Sequence, residues 1–305
     1  MKLFYGYLKS FLKEDFNTWY YLITLLFIAG AIIINYTVDF EDGILDNLPG
    51  ALPRTLAFLA FYMVSYSIII LLNRIFYPKN TFHKQKKFWL KIFLGFFILS
   101  FDTAIHLSGF ISFVPLPIRY LVLKILNNLM SLFTYLLPLW FIYRYIDKNS
   151  TSYYGLTTKG FNLIPYLQLF LIVIPLVIAA SFIENFSSYY PVYKQNPAAE
   201  YWGIASWIPA LGYELTYGWN FISVELLFRG FFVIGMLKML GRHAVVPMVV
   251  AYCFIHFGKP VGECISSIFG GYMLGIIAYY SRNIMGGIII HIGLAWLMEL
   301  VSMLN

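Results

Sequence analysis

The sequence has little charge and little cysteine. Charged residues make up 11% of its 305 positions, whereas soluble domains carry about 25%. Hydrophobic residues make up 60% and the mean hydropathy is +0.74, so a soluble globular domain is excluded and an integral membrane protein is predicted. The two cysteines, Cys253 and Cys264, lie in or beside apolar segments. They are too few for a disulfide framework or a thiolate zinc site, and we expect them to be packing residues.

The charge that is present is mostly basic. The formal net charge is +7, and most basic residues fall in short segments between apolar runs, which reports membrane orientation rather than nucleic-acid binding. Lys2, Lys9 and Lys13 precede the first run, and Lys84 and Lys86 follow the second. This distribution predicts a cytoplasmic N-terminus in a bacterial plasma membrane. The expected surroundings are a lipid bilayer without nucleic acid, and the oligomeric state stays open.

Apolar runs long enough to cross a bilayer recur along the whole chain. A spanning helix needs about 20 mostly apolar residues, and nine segments qualify or come close: residues 19–37, 53–76, 88–107, 118–146, 161–183, 205–240, 244–258, 262–281 and 284–304. The sixth is long enough to protrude and the seventh is short, so the predicted count is eight or nine. The sequence thus predicts an all-α fold, a polytopic membrane helical bundle.

Polar residues that could take part in catalysis or binding are concentrated in the second half of the chain. We expect residues 1–150 to supply N-terminal transmembrane helices and residues 151–305 to form the functional core, within one integrated membrane domain. Small residues allow helices to approach closely in membranes. The second half has such residues at Gly270, Gly271, Gly275, Gly286 and Gly287.

Four ionisable residues lie inside the apolar runs of this half: Glu225, Arg229, His256 and His291. An ionisable group at the bilayer centre costs about 2.5 to 3.5 kcal/mol, so such groups usually serve a function. Glu225 and Arg229 are four residues apart and can pair across one helical turn. Glu214 lies eleven residues before Glu225 and falls on the same helical stripe. Alternatively, the pair only specifies how the helices pack.

Residue counting predicts one cavity for these groups. At about 1.5 Å per residue, Glu225, Arg229 and His256 lie at similar depth, and His291 lies somewhat shallower. Pro260 should end the helix that carries His256. Glu263 then begins the next helix, where it could pair with Lys259.

A glutamate and two histidines are compatible with two related mechanisms. Glu225, His256 and His291 can hold a catalytic zinc. Alternatively, the glutamate and one histidine activate water without a metal, while the other histidine stabilises the oxyanion. The sequence has no His-Glu-x-x-His motif to strengthen the zinc interpretation. Metal-independent water activation is therefore slightly favoured, and the cofactor stays open.

Three motifs in this region carry a resemblance to a known family. They are Val224-Glu225-x-x-x-Arg229, Tyr252-x-x-x-His256 and His291-x-x-x-Ala295, with Tyr154-Gly-Leu156 upstream. Over about residues 150–305 the chain resembles the CPBP family, the CAAX-protease and bacteriocin-processing intramembrane proteases also called Abi proteins. The family motifs read Glu-Glu-x-x-x-Arg, Phe-x-x-x-His, and His-x-x-x-Asn or His-x-x-x-His.

The resemblance implies an intramembrane endopeptidase that hydrolyses a peptide bond in a membrane-associated protein or peptide. Glu225, His256 and His291 would be catalytic, Arg229 would orient Glu225, and Glu214 and Glu263 would support them. The base role that the family assigns to its first glutamate would fall to Glu225 or Glu263, because Val224 occupies that position.

Two other functions stay open. Val224 and Ala295 depart from the family motifs and favour a catalytically silent relative that binds a peptide or lipidated partner in the membrane. A proton-coupled transporter could use the same carboxylate and histidines as a relay. However, the broken inverted-repeat helices typical of carriers are not evident.

Overall fold

The computed structural model describes residues 2–148 and 152–304, and every regular element in these ranges is helical. The all-α prediction is confirmed. The predicted boundary between residues 150 and 151 lies outside the described residues.

Helices of the first half form five elements. They are α1 (Lys2–Asp15), α2 (Thr18–Val38), α3 (Ala51–Phe76), α4 (Lys86–Ala104) and α5 (Leu116–Ile146). Wider π-helical turns interrupt α5 at Leu132–Leu136 and Ile142–Ile146. A further π-helical segment, Phe40–Leu45, connects α2 to α3.

Helices of the second half form eight elements. They are α6 (Ile164–Ser181), α7 (Glu184–Tyr189), α8 (Ala198–Trp202), α9 (Trp207–Glu225), α10 (Leu237–Leu240), α11 (Val245–Phe254), α12 (Val261–Ser281) and α13 (Met285–Leu304). A π-helical segment, Leu226–Val233, continues directly from the end of α9.

All nine predicted apolar segments correspond to helices in the structure. Seven segments of the described chain are long and apolar enough to cross a membrane. One of them, Trp207–Phe254, runs through Gly241, whose φ of +54° separates α10 from α11. The segment α4 is not among the seven, and it carries Lys86, Lys87, Lys91 and Asp102. Counting α4 and both parts of Trp207–Phe254 is consistent with the predicted eight or nine spans.

The two halves of the chain pack against each other. The rings of Phe61 in α3 and Phe254 in α11 lie 5.0 Å apart, and Phe96 in α4 lies 4.7 Å from Phe232. Asn35 in α2 donates from Nδ2 to the Phe257 carbonyl at 3.0 Å. Helices of the first half therefore pack against α11 and against the π-helical segment that continues α9.

The N-terminal helix α1 is anchored to the second half through Asp15, which is buried. One oxygen of its carboxylate accepts from the Tyr21 hydroxyl at 2.8 Å. The other lies 3.0 Å from Nδ1 of His243 and 3.4 Å from Nε of Arg242. These contacts hold α1 against the turn that precedes α11.

Glycines of the second half bring helices close together, as the sequence predicts. A Cβ atom at Gly275 would lie 2.6 Å from Cε of Met248. A Cβ at Gly287 would overlap the Glu225 carboxylate, and one at Gly286 would overlap the Tyr166 ring. Gly270 is the exception, since a Cβ there would meet nothing within 4 Å. The buried Cys253 and Cys264 also pack together across α11 and α12, with Sγ atoms 3.7 Å apart.

Candidate functional site

A buried ion pair lies where α9 passes into its π-helical continuation. Nη1 of Arg229 is 2.9 Å from Oε1 of Glu225, and the two side chains are 1% and 0% exposed. Glu225 ends α9, and Arg229 lies within Leu226–Val233. Such π-helical turns are frequent at functional sites. The predicted Glu225–Arg229 pair is confirmed.

The carboxylate of Glu225 also contacts His291 of α13. Nδ1 of His291 lies 2.7 Å from Oε1 of Glu225, and the His291 side chain is 12% exposed. Gly287 is one turn before His291, and its missing side chain leaves room for the Glu225 carboxylate. The contact brings together two of the residues that the sequence places within a few ångströms of each other in depth.

A tyrosine of α11 completes the chain of contacts. The Tyr252 hydroxyl lies 2.7 Å from Nε2 of His291, and the Arg229 guanidinium carbon lies 4.0 Å from the centroid of the Tyr252 ring. Sequence reasoning assigned no role to Tyr252. The available signal was a hydroxyl at the motif position where the CPBP family has phenylalanine.

The second histidine, His256, adjoins this chain without contacting Glu225. Its Nδ1 lies 2.7 Å from the Tyr252 carbonyl oxygen, and its ring centroid lies 4.6 Å from that of Tyr252. Because a carbonyl can only accept, Nδ1 carries the proton, and Nε2 of the neutral ring presents a lone pair. Among the described residues, no group forms a hydrogen bond with this Nε2.

Two other predicted site residues lie elsewhere. Glu214 and Glu225 both face α13, as their shared stripe on α9 predicts. Glu214 lies about 16 Å from Glu225 along α9. There its carboxyl group lies near that of Glu299, and the Trp296 indole donates to the Glu214 carbonyl at 2.9 Å. Both carboxylate oxygens of Glu214 are shielded from the surface.

Glu263 is held by Tyr190, in the connection between α6 and α9, rather than by Lys259. The Tyr190 hydroxyl donates to Oε2 of Glu263 at 2.8 Å. Nζ of Lys259 lies 4.8 Å from the centroid of the Tyr189 ring. The predicted Lys259–Glu263 ion pair is therefore not formed in this structure, because neighbouring tyrosines take both side chains.

A zinc ion does not fit the arrangement of the three predicted ligands. No group of three His, Cys, Asp or Glu in residues 2–148 and 152–304 is placed to hold a metal. Both nitrogens of His291 are engaged, one by Glu225 and one by Tyr252. Nδ1 of His256 is engaged by a backbone carbonyl. A zinc bound by Glu225, His256 and His291 would have to displace several of these contacts.

Val224 and Ala295, which also depart from the CPBP pattern, have apolar surroundings. Val224 packs against the main hydrophobic core. Ala295 is fully buried in a cluster with Tyr213 and Tyr217. Neither position brings a polar group to the site, so its chemistry rests on Glu225, Arg229, Tyr252, His256 and His291.

These five residues combine a buried charge pair with a chain of close polar contacts, from Glu225 to His291 and from His291 to Tyr252. The carboxylate orients one imidazole, and that imidazole binds a hydroxyl, which is the order of groups in a Ser-His-Asp triad. The other imidazole keeps a free nitrogen beside them. Comparison with known proteins finds no family, curated protein or solved structure that matches this chain.

Proposed function

We propose that the protein is an intramembrane hydrolase that cleaves a peptide bond in a membrane-associated protein or peptide, as the likeness to the CPBP motifs suggests. The observation that carries the proposal is the free Nε2 of His256 beside the buried Glu225–His291–Tyr252 chain. A neutral imidazole with an available lone pair is the usual general base at neutral pH.

In this proposal His256 activates the water that hydrolysis consumes. Its Nδ1 hydrogen bond to Tyr252 holds the ring and directs Nε2 as an acceptor. Glu225 has a different role from the one expected from sequence. Its carboxylate is fully buried and contacts Arg229 and His291, so it orients His291 instead of meeting water. Arg229 balances the charge of Glu225, and Glu263 supports the outer edge of the site through Tyr190.

The proposed setting is a prokaryotic plasma membrane with the N-terminus in the cytoplasm. Support comes from the basic residues before α2 and after α3, because lysine and arginine are enriched in cytoplasmic loops. The long apolar helices are those of an integral membrane protein. The substrate would reach the site from the bilayer or its surface.

The test compares protein N-termini in membranes of cells that express the wild-type chain or His256→Gln. We expect new N-termini within membrane-associated proteins in the wild type, reduced about 100-fold or more by the substitution. His106→Gln is the matched control, because His106 is exposed and contacts Arg54 outside the site. Equal cleavage by wild type and His256→Gln would refute the role of His256.

A catalytically silent binding protein is the second candidate. Val224 and Ala295 favour it, because both positions are packed with apolar side chains. The Glu225 carboxylate is in contact with Arg229 and His291, as expected of a structural charge network. In this case the wild type would produce no N-termini beyond those of cells without the protein.

A further inference from the structure

Tyr252 stands at the end of a chain of three groups joined by two short contacts. Oε1 of Glu225 lies 2.7 Å from Nδ1 of His291, and Nε2 of His291 lies 2.7 Å from the Tyr252 hydroxyl. The Glu225 carboxylate, paired with Arg229, can only accept, so the proton of the His291 ring is assigned to Nδ1, the nitrogen that contacts it. Nε2 of the neutral ring then accepts the Tyr252 proton.

This assignment makes Tyr252 the reactive end of the chain. His291 has two ring nitrogens, and both are engaged within the protein. It therefore has no nitrogen left to contact a substrate. The oxygen of Tyr252 keeps lone pairs after donating its proton to His291. Among Glu225, His291 and Tyr252, the Tyr252 oxygen is therefore the atom that can bond to a carbonyl carbon.

Positive charge near the ring would stabilise Tyr252 after it loses its proton. The Arg229 guanidinium carbon lies 4.0 Å from the Tyr252 ring centroid, within the distance at which a cation interacts with an aromatic face. Arg229 is 1% exposed, so water screens its charge little, and the carboxylate of Glu225 at 2.9 Å offsets part of that charge. A base at the hydroxyl and a cation over the ring are together what activates a weak nucleophile.

We propose that Tyr252 is an activated phenol that attacks the substrate carbonyl and forms an acyl-tyrosine intermediate. The proposal rests on the hydrolase function above and specifies a covalent route for it. As the Tyr252 oxygen bonds to the carbonyl carbon, its proton passes to Nε2 of His291. The carbon–nitrogen bond then breaks, and His291 returns that proton to the departing amine.

Water completes the reaction with the help of His256. The ring of His256 lies beside that of Tyr252, and its Nε2 takes a proton from water as the water oxygen bonds to the acyl carbon. The bond between that carbon and the Tyr252 oxygen breaks. The phenolate then recovers the proton from His256, so the net reaction consumes one water and leaves the site unchanged.

Access to Tyr252 would be by way of the two histidines. Tyr252 is 4% exposed, whereas His256 and His291 are only partly buried. A small planar electrophile can test the phenol without knowledge of the substrate.

The test treats the purified full-length protein in detergent with benzenesulfonyl fluoride. An activated phenol attacks the sulfur, fluoride leaves, and His291 takes the proton, so the product is a sulfonyl-tyrosine that peptide mass mapping locates. Tyr272 is the internal comparison, since its hydroxyl contacts another phenol, that of Tyr21, at 2.9 Å. We expect modification at Tyr252, at least about 10-fold faster than at Tyr272, because of these two tyrosines Tyr252 is the one whose hydroxyl contacts an imidazole.

Variants connect the reactivity to the chain of contacts. Tyr252→Phe keeps the ring and should lose the modification at this site. His291→Gln removes the base and should slow modification of Tyr252 about 100-fold. If His291→Gln does not fold, Glu225→Gln replaces it, and this variant should also slow the modification of Tyr252. No modification of Tyr252, or an unchanged rate in the folded variants, would overturn the proposal.

A second readout separates this inference from the proposed hydrolase function. If Tyr252→Phe retains wild-type cleavage in the N-terminus experiment while His256→Gln loses it, the hydrolase stands and the covalent route fails. If Tyr252 is modified as expected but no cleavage is found with any variant, the phenol is activated and the hydrolase proposal fails. Loss of cleavage in Tyr252→Phe, together with modification of Tyr252, supports both.

Discussion

Glu225 is a carboxylate buried entirely within a helix bundle, where an isolated charge would be very costly. Arg229 balances that charge at 2.9 Å, and His291 supplies a further donor. A buried pair adds little net stability, but removing one partner leaves an uncompensated charge. The stability of the fold therefore depends on keeping Glu225 and Arg229 together, whether or not the site is catalytic.

Arg229→Met should lower the free energy of unfolding by about 3–5 kcal/mol, because Glu225 would lose its counter-charge in a buried site. The double variant Glu225→Gln with Arg229→Met should recover most of this loss, since no net charge is then buried. Chemical unfolding in mild detergent measures both variants. Equal stability of Arg229→Met and the wild type would show that Glu225 is not ionised in the folded protein.

Glu41 provides a pH dependence outside the membrane-spanning segments. Burial, with Asp42 beside it, raises the pKa of Glu41 to about 8 from an ordinary value of 4.5. A raised carboxyl pKa stabilises the fold below the unfolded value, and this contribution is lost as the pH rises through the folded value. The thermal unfolding temperature should therefore fall as the pH rises from about 5 to 9.

The substitution Glu41→Gln isolates this effect. Glutamine stays neutral at every pH, so the variant should show a flatter dependence of unfolding temperature on pH than the wild type. Glu41 and Asp42 lie beside Gly258, two residues after His256. Identical pH profiles for the two proteins would exclude Glu41 as the titrating group.

At the scale of helices, the site depends on how closely α13 approaches α9. The absence of a side chain at Gly287 is what lets α13 pass beside the Glu225 carboxylate. Helix interfaces in membranes are built from such small residues, because van der Waals contact replaces the hydrophobic effect there. The contact between Glu225 and His291 is thus a product of helix packing as much as of charge.

Gly287→Ala should destabilise the protein by about 1–3 kcal/mol, since the added methyl group would displace the Glu225 carboxylate. The matched control is Gly270→Ala in α12, where a Cβ meets nothing. That change should be neutral or stabilising by up to about 1 kcal/mol, because alanine favours a helix. Thermal unfolding compares the two variants, and equal stabilities would mean that α13 does not approach α9 as described.

At the scale of the whole molecule, orientation decides from which side a substrate enters. The exposed Lys79 follows α3, and the exposed Lys194 follows α7. With a cytoplasmic N-terminus and alternating spans, these positions lie on opposite sides of the membrane. In that orientation the connection between α6 and α9 is an outer loop, and it contains Lys194 and the tyrosines that contact Lys259 and Glu263.

Orientation can be measured with single cysteines at these two positions, after replacement of Cys253 and Cys264 by alanine. A membrane-impermeant maleimide should label Lys194→Cys in intact cells, because the outer loop faces the outside. Lys79→Cys should react only after the membrane is opened. The reverse pattern would place the N-terminus outside.

Sequence alone determined the features that depend on neighbours along the chain. All nine apolar segments are helical, because length and apolar composition are local properties. The ion pair of Glu225 and Arg229 is similarly local, since residues four apart share a helix face. The stripe from Glu214 to Glu225 follows from the same periodicity. Close approach at Gly286 and Gly287 was predictable from residue size.

Only the tertiary structure decided which groups from different helices meet. The Tyr252 hydroxyl reaches His291 across 39 positions of sequence, and Glu214 meets Glu299 instead of Glu225. Lys259 contacts the Tyr189 ring and Glu263 accepts from the Tyr190 hydroxyl, so the two charged residues do not pair with each other. Such partners depend on the rotation and tilt of each helix about its neighbours. These are set by packing over the whole bundle, and residue spacing within one helix carries no information about them.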